Sequence, residues 1–157
     1  MANVSIRGLN PKFGPVPYGN CVVFNYTLET DATGKATNSD ATGPLALGDK
    51  VTLGYLPEGI VIYDAKIVVS TGFTASVTAK VGFEYVDGVD ATALPQNDAA
   101  FGTGLALSAA AVLRQATTAP PKALPKEARL ILTTAGAANA KAARVDVILF
   151  GELLGPL

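Results

Sequence analysis

Apolar and polar residues alternate most regularly over residues 48–87, GDKVTLGYLPEGIVIYDAKIVVSTGFTASVTAKVGFEYVD. Ala75, Val77, Ala79, Val81, Phe83 and Tyr85 fall in one phase, with Ser76, Thr78, Lys80, Gly82 and Glu84 between them. A side-chain period of two assigns the sets to opposite faces of a β-strand. In the preceding run Val61, Tyr63, Ala65, Ile67 and Val69 share one phase. Asp64, Lys66 and Ser70 take the other, together with Ile60, Ile62 and Val68. Leu56-Pro57-Glu58-Gly59 separates the runs as a turn, because Pro presets its backbone and Gly admits dihedrals closed to other residues. The pattern predicts a β-meander with one buried face and one wetter face.

The same periodicity recurs on either side. Residues 20–29 (NCVVFNYTLE) read as a strand with Val22, Phe24, Tyr26 and Leu28 turned to the core. Residues 127–134 alternate through Ala128, Leu130 and Leu132, and residues 143–153 through Val145, Val147 and Leu149. Residues 101–118 are ambiguous. Alanine richness favours a helix over 105–115, but flanking glycines in an otherwise all-β chain favour one or two strands, the reading adopted here. Strands are thus expected at 20–29, 49–56, 60–71, 75–86, one or two within 100–117, 127–134 and 143–153. Short strands separated by turns, with no βαβ spacing, indicate an all-β sandwich or barrel. About eight strands in this length suit an eight-stranded jelly-roll-like β-sandwich.

Residues 1–18 stand apart, with three prolines, two glycines and neither period. They read either as a frayed terminus or as an extended N-terminal arm laid on a neighbouring subunit. Ile6, Leu9, Phe13, Val16 and Tyr18 would then be its apolar anchors. The expected organisation is an arm over 1–18 and a sandwich domain over 19–157. Residues 30–44, rich in Thr, Ala, Gly, Asp and Asn, form a long connection that is either functional or mobile. A mobile surface loop is preferred to a cation or glycan site, since the spacing matches no ligand loop. The tail 153–157 supplies Leu153, Leu154 and Leu157, to dock on the core or on a partner.

Composition narrows the functions. Charged residues are 16% and hydrophobic ones 49% of 157 residues, and mean hydropathy is +0.34. The longest nearly apolar run, 105–113, falls far short of the ~20 residues of a membrane-spanning helix. A membrane β-barrel needs aromatic girdles, poorly supplied by a chain with no Trp and 7% aromatics. No membrane partner is expected, and surface buried in an assembly accounts better for the apolar bias. The net charge is −1 and the basic residues are scattered, so nucleic acid is a poor partner. The N-terminal residues lack the apolar core of a signal peptide. One cysteine, Cys21, precludes an internal disulfide, fits a reducing compartment and is expected to be a small packed residue.

The candidate chemistry is thin. With no histidine, Ser-His-Asp and Cys-His systems and ordinary zinc sites are excluded. No P-loop, GxGxxG or HExxH pattern occurs, and Gly102-Thr103-Gly104 is too short for a phosphate cradle. Asp87, Asp90 and Asp98 lack calcium-loop spacing and read as turn residues. Glu84 with Asp146 or Glu152 is a conceivable carboxylate pair for glycosyl transfer, but Glu84 and Asp146 lie on the polar phases of their strands. An enzyme is therefore not expected, and neither cofactor nor metal.

One resemblance emerges from ALGDKVTLGYLPEGIVIYDAKIVVSTGF, the strict strand ending in YVDG, then NDAAFG and the segment LPKEARLILTTAGAANAKAARVDVILFGEL. Over residues 45–153 this pattern resembles small structural proteins of tailed bacteriophages, in particular jelly-roll capsid decoration, or cement, proteins. The resemblance implies a non-enzymatic homo-oligomer, dimer or trimer, made in the host bacterial cytoplasm. It implies a place on the capsid exterior of the virion, clamping adjacent subunits of the major capsid protein. Other readings remain open: a tail or head-fibre module that binds a receptor or glycan, and a jelly-roll subunit that builds the shell.

Overall fold

The computed structural model describes residues 3–5, 20–115, 118 and 120–155. Its strands are β1 (Asn3–Ser5), β2 (Cys21–Thr30), β3 (Lys50–Leu56), β4 (Ile60–Thr71), β5 (Thr78–Tyr85), β6 (Asn97–Ala106), β7 (Ala111–Leu113), β8 (Ala128–Ala135) and β9 (Ala143–Leu153). The eight strands β2 to β9 pair antiparallel as β2 with β9, β3 with β8, β4 with β7 and β5 with β6. These are the pairings of one long ribbon folded back on itself between β5 and β6. Rolling the ribbon brings β9 beside β4 and β8 beside β5, which gives two sheets, β2-β9-β4-β7 and β3-β8-β5-β6. The result is the expected jelly-roll-like sandwich, closed by Greek-key connections. Inside the stretch expected to be an arm, β1 adds a ninth strand parallel to β3 and buries Val4. The remainder of that stretch, with Ile6, Leu9, Phe13, Val16 and Tyr18, lies outside the described residues, as does Leu157.

The inward phases meet between the sheets. Val22, Phe24, Tyr26 and Leu28 of β2 line one wall of the core beside Val145, Val147 and Leu149 of β9, and Val81, Phe83, Leu130 and Leu132 line the other. Tyr26 crosses the sandwich, and its hydroxyl donates to the Tyr55 carbonyl of β3 at 2.7 Å. The hydrogen bond lets a phenol lie in an apolar interior, and burial pushes its pKa well up. Gly54 makes the room: a Cβ there would stand 2.3 Å from the Tyr26 ring. Apolar burial of this kind is the main favourable term in folding.

Two expectations require correction here, and one ambiguity is resolved. Ala75 is exposed in a turn with Ser76, so β5 begins at Thr78 and not at 75. Its neighbour Ser76 takes a positive φ of 67°, which a continuing strand cannot accommodate. The strand reading of residues 101–118 is the one the fold adopts: β6 and β7 occupy the region and no helix forms over 105–115, tertiary pairing overriding alanine propensity. The connection from β2 to β3 is not a loose surface loop. Its bridges Thr30–Ala36 and Lys35–Pro44 fold it back on itself, and Ala36 and Leu45 are buried in the core. Asp31 sets the first turn by accepting from the Thr33 amide at 2.8 Å, the Thr33 hydroxyl at 2.7 Å and the Lys35 amide at 3.1 Å. These donors hold its carboxyl below the usual carboxylate range.

Asn139, in the turn between β8 and β9, locks this end of the sandwich. Its side-chain oxygen accepts from the Thr74 amide at 3.1 Å and the Thr74 hydroxyl at 3.2 Å. Its amide group donates to the Thr30 hydroxyl at 3.0 Å and the Lys141 carbonyl at 2.8 Å, and its backbone amide donates to Leu45. Three connections, β2–β3, β4–β5 and β8–β9, thus converge on one buried amide. Asn139→Ala would leave buried donors and acceptors unpaired. It is expected to cost about 3 kcal/mol, read as a lower urea midpoint with an unchanged slope by far-ultraviolet circular dichroism.

Candidate interaction surface

The two outer faces of the sandwich differ in chemistry. On the five-stranded face, Lys50 pairs with Glu84 at 2.6 Å and Lys80 with Asp98 at 3.3 Å, while Arg129 approaches Glu84 at 4.0 Å. Register explains what the first pair covers. Lys50 stands opposite Thr133 and Glu84 opposite Arg129, so the pair spans β8 diagonally above Ile131. Ile131 points outward yet is only 1% exposed. On its other side β6 loops out over residues 98–101 and crosses Gly82, where a Cβ would lie 2.1 Å from the Asn97 carbonyl oxygen. This face is sealed by charge and by backbone.

The outer face of β2-β9-β4-β7 is not sealed. Val23 of β2 stands opposite Phe150 of β9, which stands opposite Asp64 of β4. Val23 is 59% exposed, Phe150 38% and Tyr63 52%. Cys21 lies one outward position beyond Val23, and Ile148 one inside Phe150. Further along, polarity takes over: Arg144 pairs with Glu29 at 2.6 Å and with Asp146 at 3.2 Å. Asp146 also accepts from the Thr27 hydroxyl at 2.5 Å. The β2-β9 side of the face is thus apolar at the Val23 end and ion-paired at the Arg144 end, with exposed Val112 on the β7 edge beyond Val68.

Tyr63 reaches this face through a break in register. Alternation assigns it to the core phase with Val61 and Ala65, and the structure overturns that assignment. β4 pairs Ile62 with Gly151 and Asp64 with Phe150, leaving Tyr63 as the extra residue of a β-bulge. A bulge reverses the phase of the residues beyond it and re-aims a side chain. Ile60 and Ile62 are buried before it, Ala65, Ile67 and Val69 after it, and Tyr63 turns out to solvent. Its hydroxyl donates to Glu152 at 2.8 Å. That bond to a carboxylate is the main cause of the raised Tyr63 pKa, with desolvation and the Glu152 charge adding to it.

The remaining candidates are placed as follows. Cys21 is exposed, not packed, because it opens β2 in the phase opposite to Val22. Leu153 ends β9 and packs against the core, whereas Leu154 is 53% exposed. Glu84 lies on the outer face of the five-stranded sheet and Asp146 and Glu152 on that of the other, so the sandwich separates the conceivable carboxylate pair. Asp87 is held by Lys126 at 2.7 Å, Asp98 by Lys80, and Asp90 accepts from the Gln96 amide at 2.8 Å. They do not converge, and no metal-holding group of three occurs among the described residues. Gln115 engages both the amide and the carbonyl of Thr103, at 2.8 and 2.9 Å, so Gly102-Thr103-Gly104 is a tied segment of β6. Among the described residues no helix is long and apolar enough to cross a membrane.

The sequence offered a signal for Val23 and Phe150 that strand periodicity alone passes over: each is apolar in the polar phase of its strand. For Tyr63 the only signal was the change of apolar phase from Ile60 and Ile62 to Ala65, Ile67 and Val69, which does not say which residue is the extra one. The hydrogen bond to Glu152 makes a spectroscopic prediction. In ultraviolet titration, the phenol that Tyr63→Phe removes should ionise above the ordinary tyrosine range. Glu152→Gln should bring that phenol back down, because the acceptor charge that holds its proton is gone; an unmoved midpoint would contradict the assignment.

The chain matches no protein-family model and no curated protein. Its fold is found among solved structures. It is similar to a chain in the capsid of Ralstonia phage GP4, with a TM-score of 0.66 at 17% identity, over 98% of this chain and 99% of that one. It is also similar to a chain in the cyanophage Pam1 capsid asymmetric unit, with a TM-score of 0.56 at 12% identity, over 94% and 93% of the two chains. At these identities the likeness is one of fold.

Proposed function

We propose that this protein is a structural component of a bacteriophage virion, and specifically a decoration, or cement, protein on the exterior of the capsid. In this reading it strengthens contacts between subunits of the major capsid protein and transforms no substrate. The observation that carries the proposal is the end-to-end likeness to a chain of a phage capsid, with neither chain extending much beyond the shared fold. Fold alone does not assign function, and the surfaces add support. One outer face is closed by ion pairs while the other carries exposed Val23, Tyr63 and Phe150. That asymmetry suits a protein that makes its contacts from one side, to the shell or to a second copy of itself, more than a subunit enclosed by neighbours all round.

Ile6, Leu9, Phe13, Val16 and Tyr18, with Leu154 and Leu157, are proposed as further contacts to the capsid or to a neighbouring copy. Leu153 contributes less, since its side chain already packs on its own core. Several copies joined in one oligomer would raise the effective concentration of each contact, so individually weak patches hold together. A second reading, a jelly-roll subunit that builds the shell, draws on the fact that both similar chains belong to phage capsids, with nothing that marks them as decoration.

Co-sedimentation with capsids of the parent phage stripped of this protein tests the proposal. The intact chain should pellet with the capsids and raise their resistance to heat. Leu9→Ser with Phe13→Ser should lower binding by at least about tenfold, one well-buried contact's worth, with the β-sheet circular dichroism unchanged. Closed particles formed by the purified protein alone would select the shell-subunit reading.

A further inference from the structure

We propose that the apolar half of the β2-β9-β4-β7 outer face is a two-fold interface, on which Tyr63, Phe150 and Val23 of one copy pack against the same residues of a second copy. The inference rests on the reading as a self-associating capsid component and names the surface that does the associating.

Three observations point to it. The first is the bulge at Tyr63. Continued alternation would keep this tyrosine in the core, and the register shift instead presents it to solvent beside Phe150 and Val23. Glu152 then fixes its hydroxyl. An exposed aromatic held in one orientation loses little freedom on docking and is the residue type that anchors interfaces.

The second is charge. Around the apolar residues stand Asp64 and Glu152, two carboxylates, and Lys66 and Arg114, two cations. Arg114 pairs with Asp64, and Glu152 accepts from Tyr63. The rim carries no formal excess of either sign, so two such faces can approach without like-charge repulsion. A strongly charged partner would gain nothing from it.

The third is shape. Two sheets pack face to face most readily when their twists agree, and a second copy brings an identical twist. Pairing a patch with itself requires a two-fold axis, the commonest symmetry of homo-oligomers. The outward register places Val23, Phe150 and Tyr63 within one cross-strand row, with Ile148 in the next, compact enough to lie about such an axis.

Sedimentation velocity of the full chain across the micromolar range tests the proposal. The wild type should run as a dimer. Tyr63→Arg should weaken association by about 30-fold, as expected of a central interface residue, with the β-sheet circular dichroism unchanged. Val23→Asp, on an outward position of regular strand, gives the same readout without touching the bulge. Val89→Asp, in the exposed turn between β5 and β6, should leave the dimer intact. Cys21, exposed at the patch edge, should react with a maleimide more slowly in the wild-type dimer than in the Tyr63→Arg protein. A monomeric or trimeric wild type, or a Tyr63→Arg protein that dimerises as well as the wild type, would overturn the proposal. A wild type that binds capsids but never dimerises defeats this inference alone; a dimer indifferent to capsids defeats the cement reading instead.

Discussion

One constraint governs this molecule: every strand of a rolled ribbon must keep its apolar phase turned to a single shared interior. The period of a strand is two, so a slip of one residue would carry its whole apolar set to solvent. β2 and β9 meet the constraint directly, pairing residue for residue over ten positions. The other strands must bend around the roll, and they meet it with irregularities. β3 shifts between Thr52 and Gly54, β4 between Ile62 and Asp64, and β6 loops out opposite Gly82. Each shift absorbs unmatched residues, one at β3 and β4 and three at β6, and restores the inward phase beyond it. At β3 the shift also brings Gly54 beneath the Tyr26 ring, so the irregularity in one sheet and the buried phenol of the other depend on each other.

The ends of the sandwich answer to a different requirement, since connections that bury side chains must also satisfy their backbone groups. At one end Asn139 draws three connections together through its single amide. Four polar contacts in a low-dielectric setting bind more firmly than the same groups in water, and would be correspondingly costly to leave unmade. This is why the long Thr- and Gly-rich connection after β2 is packed, although its composition resembles that of a mobile loop.

How far the chain could be read in advance follows from the range of the interactions. The strands at 60–71 and 143–153, and the inward sets Val22 to Leu28 and Val145 to Leu149, are local patterns, and the observed bounds and burial agree with them. Where a non-local contact decides, local reading fails. Tyr63 depends on how β4 meets β9, Ala75 on where β5 joins β8, and the order of residues 31–47 on an asparagine about a hundred residues away. Cys21 failed for a simpler reason: free cysteines are usually buried, but the phase of Val22 already placed its neighbour outside. Of the proposed contact residues, the alternation could mark Val23 and Phe150 as apolar and outward. The ends of the chain could be marked only as greasy segments without a period.

The contrast between Ile131 and Phe150 bears most directly on what the protein does. Both are large apolar residues at outward positions of a central strand, and both have charged residues on the flanking strands. Over Ile131 the charges are used as a cover, since Lys50 and Glu84 reach across β8 and shut out water. Beside Phe150 the same materials are present and are directed elsewhere. Asp64 is engaged by Arg114 at the β7 edge, and Glu152 holds the Tyr63 hydroxyl. Among the described residues no ion pair crosses β9, and an aromatic is added to the opening by a bulge. A sheet face with the means of covering itself, arranged so as to remain open, is better explained by a surface that completes the cover than by chance exposure of one apolar residue.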